Sequence, residues 1–225
     1  MRLDAGSADE PDLRDQLAEV GAAVVRAGLV VGSGGNLSAR SPGSDACWVT
    51  GAGTWLDKLA RPSFVRVRIS DGATLPAGDA SSAGQAAYPT LPPSSEVALH
   101  LATYRARPDV SAIVHLHPQT ALLLDALGER IRLVTTDHAF YVRRVGTVPF
   151  FPPGTIELAE AAADAARDGT NCFVLSRHGC SVLADSVELA LKRAHNLEEA
   201  AQLTYRALAL GRAADLVDQP PPAGA

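Results

Sequence analysis

Lysine is nearly missing from this chain of 225 residues: Lys58 and Lys192 stand against eighteen arginines. Chemistry that depends on a lysine Schiff base therefore has little to draw on. The three cysteines (Cys47, Cys172, Cys180) form an odd set with no Cys-x-x-Cys. They read as reduced thiols of a cytoplasmic protein, not as a disulfide framework. No apolar run approaches the roughly 18 residues of a membrane span, and no apolar N-terminal segment resembles a secretory signal. Neither GxGxxG nor Gly-Lys-Ser/Thr occurs, which excludes the usual dinucleotide fingerprint and the Walker loop. A net charge of -5 leaves no positive surplus to neutralise a nucleic-acid backbone. A small anion is still admissible, because it needs only a local set of donors.

What is present suits one large domain. The chain is 47% hydrophobic, enough for a substantial core. Leu13, Leu17, Val20, Val24 and Ala27 form a helical stripe within 11–29, opened by Pro11 and closed by Gly28. A Gly-rich loop and strand follow at 30–40, then a strand over 47–53. "FVRVRISDG" (64–72) alternates as a half-exposed antiparallel strand before an Asp-Gly turn. Residues 73–93 are a polar, Gly/Pro-rich loop. A helix opens at Ser94-Ser95-Glu96. A strand (110–116), a helix after Pro118, a strand near 145–150 and a helix over 155–168 come next. The strand "NCFVLSRHG" (171–179) leads through "CSVLAD" to a long helix, 185–210. Strands and helices alternate, with hairpins among them, so the expected fold is a single three-layer α/β/α domain around a mixed sheet. The expected boundaries are a flexible N-terminus (1–10), a domain (11–212) and a disordered tail (213–225).

Chemistry concentrates in the histidines. "AIVHLHPQT" (112–120) places His115 and His117 two apart at the end of an apolar strand, so both imidazoles face one side. Such a pair is either a satisfied core feature or half of a transition-metal site. His178, in "LSRHGC", supplies a possible third imidazole, and Glu96 a carboxylate. Three imidazoles and one carboxylate make a catalytic donor set, since a carboxylate that leaves the metal can act as a base. His100 and His195 lie within helices and read as structural; His138 is ambiguous.

Three stretches could cradle an anion: "GSGGNLS" (32–38) with Asn36, "TGAG" (50–53), and "SSE" (94–96) at a helix N-terminus. Each alone is an ordinary loop or N-cap. In chain order, Gly35-Asn36-Leu37-Ser38, Thr50-Gly51-Ala52-Gly53, Ser94-Ser95-Glu96, His115-Leu116-His117 and His178-Gly179 together resemble the class II aldolase/adducin family, and within it the L-fuculose-1-phosphate aldolase type. The likeness runs over about residues 12 to 210.

The resemblance implies a mixed, largely antiparallel central sheet and a metal-dependent sugar-phosphate aldolase. His115, His117 and His178 match the ligands of one divalent metal per subunit, Zn2+ foremost, with Mn2+ or Co2+ as alternatives. Glu96 matches the acid/base, and Asn36, Gly53, Ser94 and Ser95 match the phosphate contacts. The implied reaction is reversible retro-aldol cleavage of a ketose 1-phosphate to dihydroxyacetone phosphate and an aldehyde through a metal-stabilised enediolate. A tyrosine from a neighbouring subunit acts as second proton donor in the family; Tyr141 is the candidate, and His138 could serve similarly. A homotetramer with inter-subunit sites is also implied, acting on a small phosphorylated sugar, with no nucleic-acid or membrane partner. A decarboxylase or dehydratase of a sugar-phosphate-derived substrate could use the same residues. An epimerase of this scaffold typically carries Asp where Glu96 stands, and adducin-type binding heads lack the ligands. Three departures touch the phosphate grip: no Lys precedes Ser94, Ala52 replaces a hydroxyl residue, and the 73–93 loop is long.

Overall fold

The computed structural model describes residues 12–77 and 91–220. Its centre is Ala112–Leu116 (β5), a strand buried along its whole length. Such a strand needs cover on both faces. On one edge of β5 lie β1 (Asn36–Ala39), β2 (Ala46–Thr50), β3 (Phe64–Arg68) and β4 (Thr74–Leu75); on the other lie β8 (Gly179–Ala184), β7 (Cys172–Leu175) and β6 (Val145–Val148). The eight-stranded order is β4-β3-β2-β1-β5-β8-β7-β6. All neighbours are antiparallel except β6 and β7. A parallel pair needs a crossover, and the helix α4 (Ile156–Ala166) provides it.

Helices α1 (Leu13–Arg26), α3 (Gln119–Leu127) and α5 (Val187–Ala209) pack on one face of the sheet, and α2 (Val97–Ala106) and α4 on the other. The result is the expected three-layer domain with a mixed, largely antiparallel sheet. The strand period of two decides which layer each side chain enters. Ala112, Val114 and Leu116 join the α1/α3/α5 core, and Ile113 joins the α2/α4 core. His115 shares the parity of Ile113, so its imidazole is directed to the layer of α2.

Local chemistry fixes the helix ends. Asp12 caps α1 and accepts from the Arg14 amide, Thr155 caps α4, and Ser186 caps α5. α3 has no side-chain cap of its own. Instead the buried Glu198 of α5 accepts from the amides of Thr120 and Ala121, both at 3.0 Å. A carboxylate on a helix N-terminus satisfies orphan donors and the dipole together, and it anchors the chain just beyond His117.

Three features differ from expectation. "CSVLAD" forms most of a strand in its own right, β8, wholly buried between β5 and β7; continuous burial, not alternation, marks it. The short strand β4 lies in the loop expected over 73–93, of which 78–90 is outside the described residues, as are the N-terminus 1–11 and the last residues 221–225. Residues 213–220, expected as loose tail, are tied down: Asp218 pairs with Arg130 and Arg132 and accepts from the Leu133 amide, and the Gln219 amide donates to the Leu133 carbonyl.

Candidate metal centre and anion cleft

Sheet register assembles the site. Asn36 stands opposite His115 across β1 and β5, and Ser181 stands opposite it across β5 and β8. His117 follows the end of β5, His178 occupies the turn between β7 and β8, and Glu96 is the N-cap of α2. Glu96 Oε2 lies 3.1 Å from His115 Nε2, and Glu96 Oε1 lies 3.0 Å from His178 Nε2. The Nε2 atoms of His115 and His117 are 3.1 Å apart. One donor atom from each of the four residues falls within 4.8 Å of all the others.

This donor set fits a divalent cation. Nitrogen lone pairs aimed at one another repel unless a proton or a cation lies between them. Two nitrogens about 2.0–2.1 Å from one tetrahedral ion stand about 3.3 Å apart, close to the observed separation. The ligands must also be neutral imidazoles and an ionised carboxylate. Burial, then the neighbouring His115 and His178, pushes His117 down to about 4. Burial works to raise Glu96, but the hydrogen bonds from His115 and His178 outweigh it and hold the carboxyl well below its usual range.

Two glycines make room. A side chain at Gly179 would bring its Cβ to 2.5 Å from the Leu116 carbonyl and 2.6 Å from the His117 ring. Gly35 has φ +85°, and a Cβ there would lie 2.5 Å from the His115 carbonyl. The turn bearing His178 is clamped from α3: Asp125 accepts from Ser176 Oγ and from the Arg177 amide, both at 2.9 Å. Arg177 itself sits at φ 60°, unusual for a residue with a side chain.

The three small-residue stretches meet. The amides of Ser94 and Ala52 donate to the carbonyls of Thr50 and Pro92, and Thr50 Oγ1 accepts from the Leu37 amide. They enclose a cleft of about 190 Å³ lined by Asn36, Gly53, Ser94 and Ser95, with Glu96 and His117 on its wall. Among the described residues its lining contains neither lysine nor arginine, and it offers an anion hydroxyl, amide and backbone groups. Tyr141 is not in the lining; it lies in the π-helical turn His138–Val142, its carbonyl accepting from Arg193. His138 is fully buried in the same turn, 3.5 Å from Glu199.

His100 reads as structural in the sequence, without its link to the site. It is fully buried and hydrogen-bonds to both Asn36 and Ser38. The available signal was its place four residues after Glu96, on the same helix face.

The sequence profile described as Class II Aldolase and Adducin N-terminal domain matches residues 15–205. The chain is 30% identical over 176 residues to L-fuculose phosphate aldolase of Methanococcus maripaludis, covering 78% of this chain and 87% of that protein. It is 31% identical over 201 residues to 3-oxo-tetronate 4-phosphate decarboxylase of Escherichia coli, covering 87% of each. A solved L-fuculose 1-phosphate aldolase superposes with a TM-score of 0.79 at 26% identity, over 94% of this chain and 92% of that one. With the histidine and carboxylate cluster and the sheet order, these likenesses establish that the chain belongs to the class II aldolase and adducin family and is a lyase-type enzyme.

Proposed function

We propose that this enzyme cleaves the carbon–carbon bond next to the ketone of a ketose 1-phosphate, releasing dihydroxyacetone phosphate and an aldehyde. The observation that carries the reading is the junction of Glu96 and the three histidines with a cleft of neutral hydrogen-bond donors. His115, His117 and His178 would hold one divalent cation, Zn2+ by preference. When bound, that cation supplies positive charge that polarises the ketone and hydroxyl oxygens.

The chain's own residues do the rest. Asn36, Ser94, Ser95 and the backbone at Gly53 hold the phosphate and so fix the sugar carbons against Glu96. A base takes the proton of the C4 hydroxyl, the C3–C4 bond breaks, and its electron pair passes to C3 and the ketone oxygen as an enediolate. Glu96, having taken up through solvent the proton released from the C4 hydroxyl, then delivers it to C3. Tyr141 from a second copy of the chain is the group assigned to the C4 hydroxyl, in a homotetramer working in the cytoplasm.

A second reading is supported by one observation. Among the described residues, the cleft lining carries a single carboxylate, Glu96, and neither a tyrosine nor a lysine. Loss of carbon dioxide from a 3-keto-acid phosphate yields the same enediolate and needs no base at a hydroxyl. Glu96 alone would complete it.

One experiment separates the two. Fuculose 1-phosphate, 5-deoxyribulose 1-phosphate and 3-oxo-tetronate 4-phosphate are each offered to the purified protein, with and without chelator. Dihydroxyacetone phosphate is read by coupled NADH oxidation, and carbon dioxide is trapped. Aldehyde-forming release that chelator abolishes and Zn2+ restores is the expected result. Glu96→Gln should lower kcat by about 10²–10⁴-fold, the share of a positioned acid–base group. Carbon dioxide from the keto acid alone would put the decarboxylase in its place.

A further inference from the structure

From the hydrogen-bond geometry we infer that His100 is a positioning residue: held as its Nε2–H tautomer, it locks the Asn36 amide so that its N–H₂ faces Glu96. The inference deepens the reading of Glu96 as the acid–base group and rests on it.

The contacts form one line through the buried layer between β1 and α2. Asn36 Nδ2 donates to Glu96 Oε2 at 3.0 Å. That leaves Asn36 Oδ1 as the acceptor facing His100 Nε2, 2.5 Å away. An amide oxygen can only accept, so Nε2 must carry the ring proton. His100 Nδ1 is then a bare acceptor, and Ser38 Oγ, 2.6 Å away, must donate to it. Having spent its proton, Ser38 accepts from the Tyr104 hydroxyl at 2.8 Å. Every donor in the line points toward the carboxylate.

The backbone explains why the line closes. Glu96, His100 and Tyr104 lie four apart on one helical stripe, stepping about 6 Å. Asn36 and Ser38 lie two apart on β1, stepping about 6.6 Å. The two spacings nearly match, so helix and strand interlock rung by rung. Ser38, His100 and Tyr104 are at most 1 % exposed, so water offers them no alternative partner, and a turned Asn36 amide would set its oxygen against the carboxylate. Burial also keeps the His100 ring neutral, pushing it down to about 3.

A structural filler would not care which nitrogen holds the proton, so the tautomer is the first readout. Nitrogen-15 NMR of histidine-labelled protein at neutral pH, without added metal, should show one ring with a protonated Nε2 and a bare Nδ1. That signal is identified by its loss in His100→Gln. A proton on Nδ1, or on both nitrogens, would overturn the inference. The second readout compares two variants. Glutamine sets an amide N–H near the position of Nε2, whereas methionine fills the space without a donor. In the assay above, His100→Met should lose about 10–100-fold in kcat and His100→Gln should stay within about threefold. Equal losses in both would reduce His100 to packing. A wild-type protein inert toward every substrate would sink the proposed reaction, while the NMR result would still decide the hydrogen-bond line.

Discussion

Gly179 shows how much of a site can depend on an atom that is not there. The third imidazole is followed by a residue whose Cβ would strike the Leu116 carbonyl and the His117 ring. Backbone cannot yield as a flexible side chain can. Gly179→Ala should therefore weaken Zn2+ binding by about 10–100-fold in a competition titration with a chromophoric chelator. Unchanged affinity would mean that the three imidazoles do not share an ion. At this scale the sequence is legible where the period is local. His115 and His117 are two apart on a strand, so their common direction follows from the pleat. His178 and Glu96 are distant in the chain, and only motif order joined them to the pair. His100 was read as a structural helix residue because what it touches, Asn36, belongs to a strand sixty-four positions earlier.

Elements were more legible than contacts. The stripe Leu13, Leu17, Val20 and Val24 became α1 because it buries one face against one core, and the apolar run through Ile113 became β5, which sends side chains into both cores. β8 escaped because only the three-residue turn 176–178 separates it from β7, so the two strands read as one strand with a short lead into α5. The start of α1 offers a test of local electrostatics. Asp12 is pushed down to about 2, chiefly by the hydrogen bond from the Arg14 side chain. Its folded pKa lies below its unfolded one, so its contribution is complete above about pH 4 and fades as pH falls toward 2. Asp12→Asn keeps a cap acceptor but removes the charge paired with Arg14 and Arg61, and should cost about 1 kcal/mol in urea unfolding near neutral pH. The gap between wild type and variant should close progressively below pH 4. A gap that held constant down to pH 3 would assign the effect to something other than the Asp12 charge.

For the whole molecule, the strand order could not be read from the chain, because local patterns do not say which strands pair. Only the layer architecture and its mixed character followed from the alternation of elements. The family likeness adds what pairing hides, since the matched residues 15–205 span both halves of the sheet. Ligand linkage tests the assembled site. A cation that binds only the folded state at 100 times its Kd adds about 2.7 kcal/mol. A chain of this size should then melt about 5–10 °C higher with Zn2+ than with chelator. His178→Ala should remove most of that rise. A rise that survived in the variant would place the ion elsewhere.

The strand order also governs when the site comes into being. Asn36 arrives on one flank of β5 and His178 on the other, and β8 seals the second flank only after nearly the whole domain has been made. During synthesis, a ribosome-bound chain that has emerged only through His117 holds two imidazoles on a strand with one edge unpaired, exposed to self-association. Closure waits on a non-local pairing, the slow kind. Assembly of the three-histidine cluster is thus postponed to late in folding. A stalled or truncated chain would display a sticky half-sheet rather than a partly working enzyme, and cellular quality control would have a clear difference to act on.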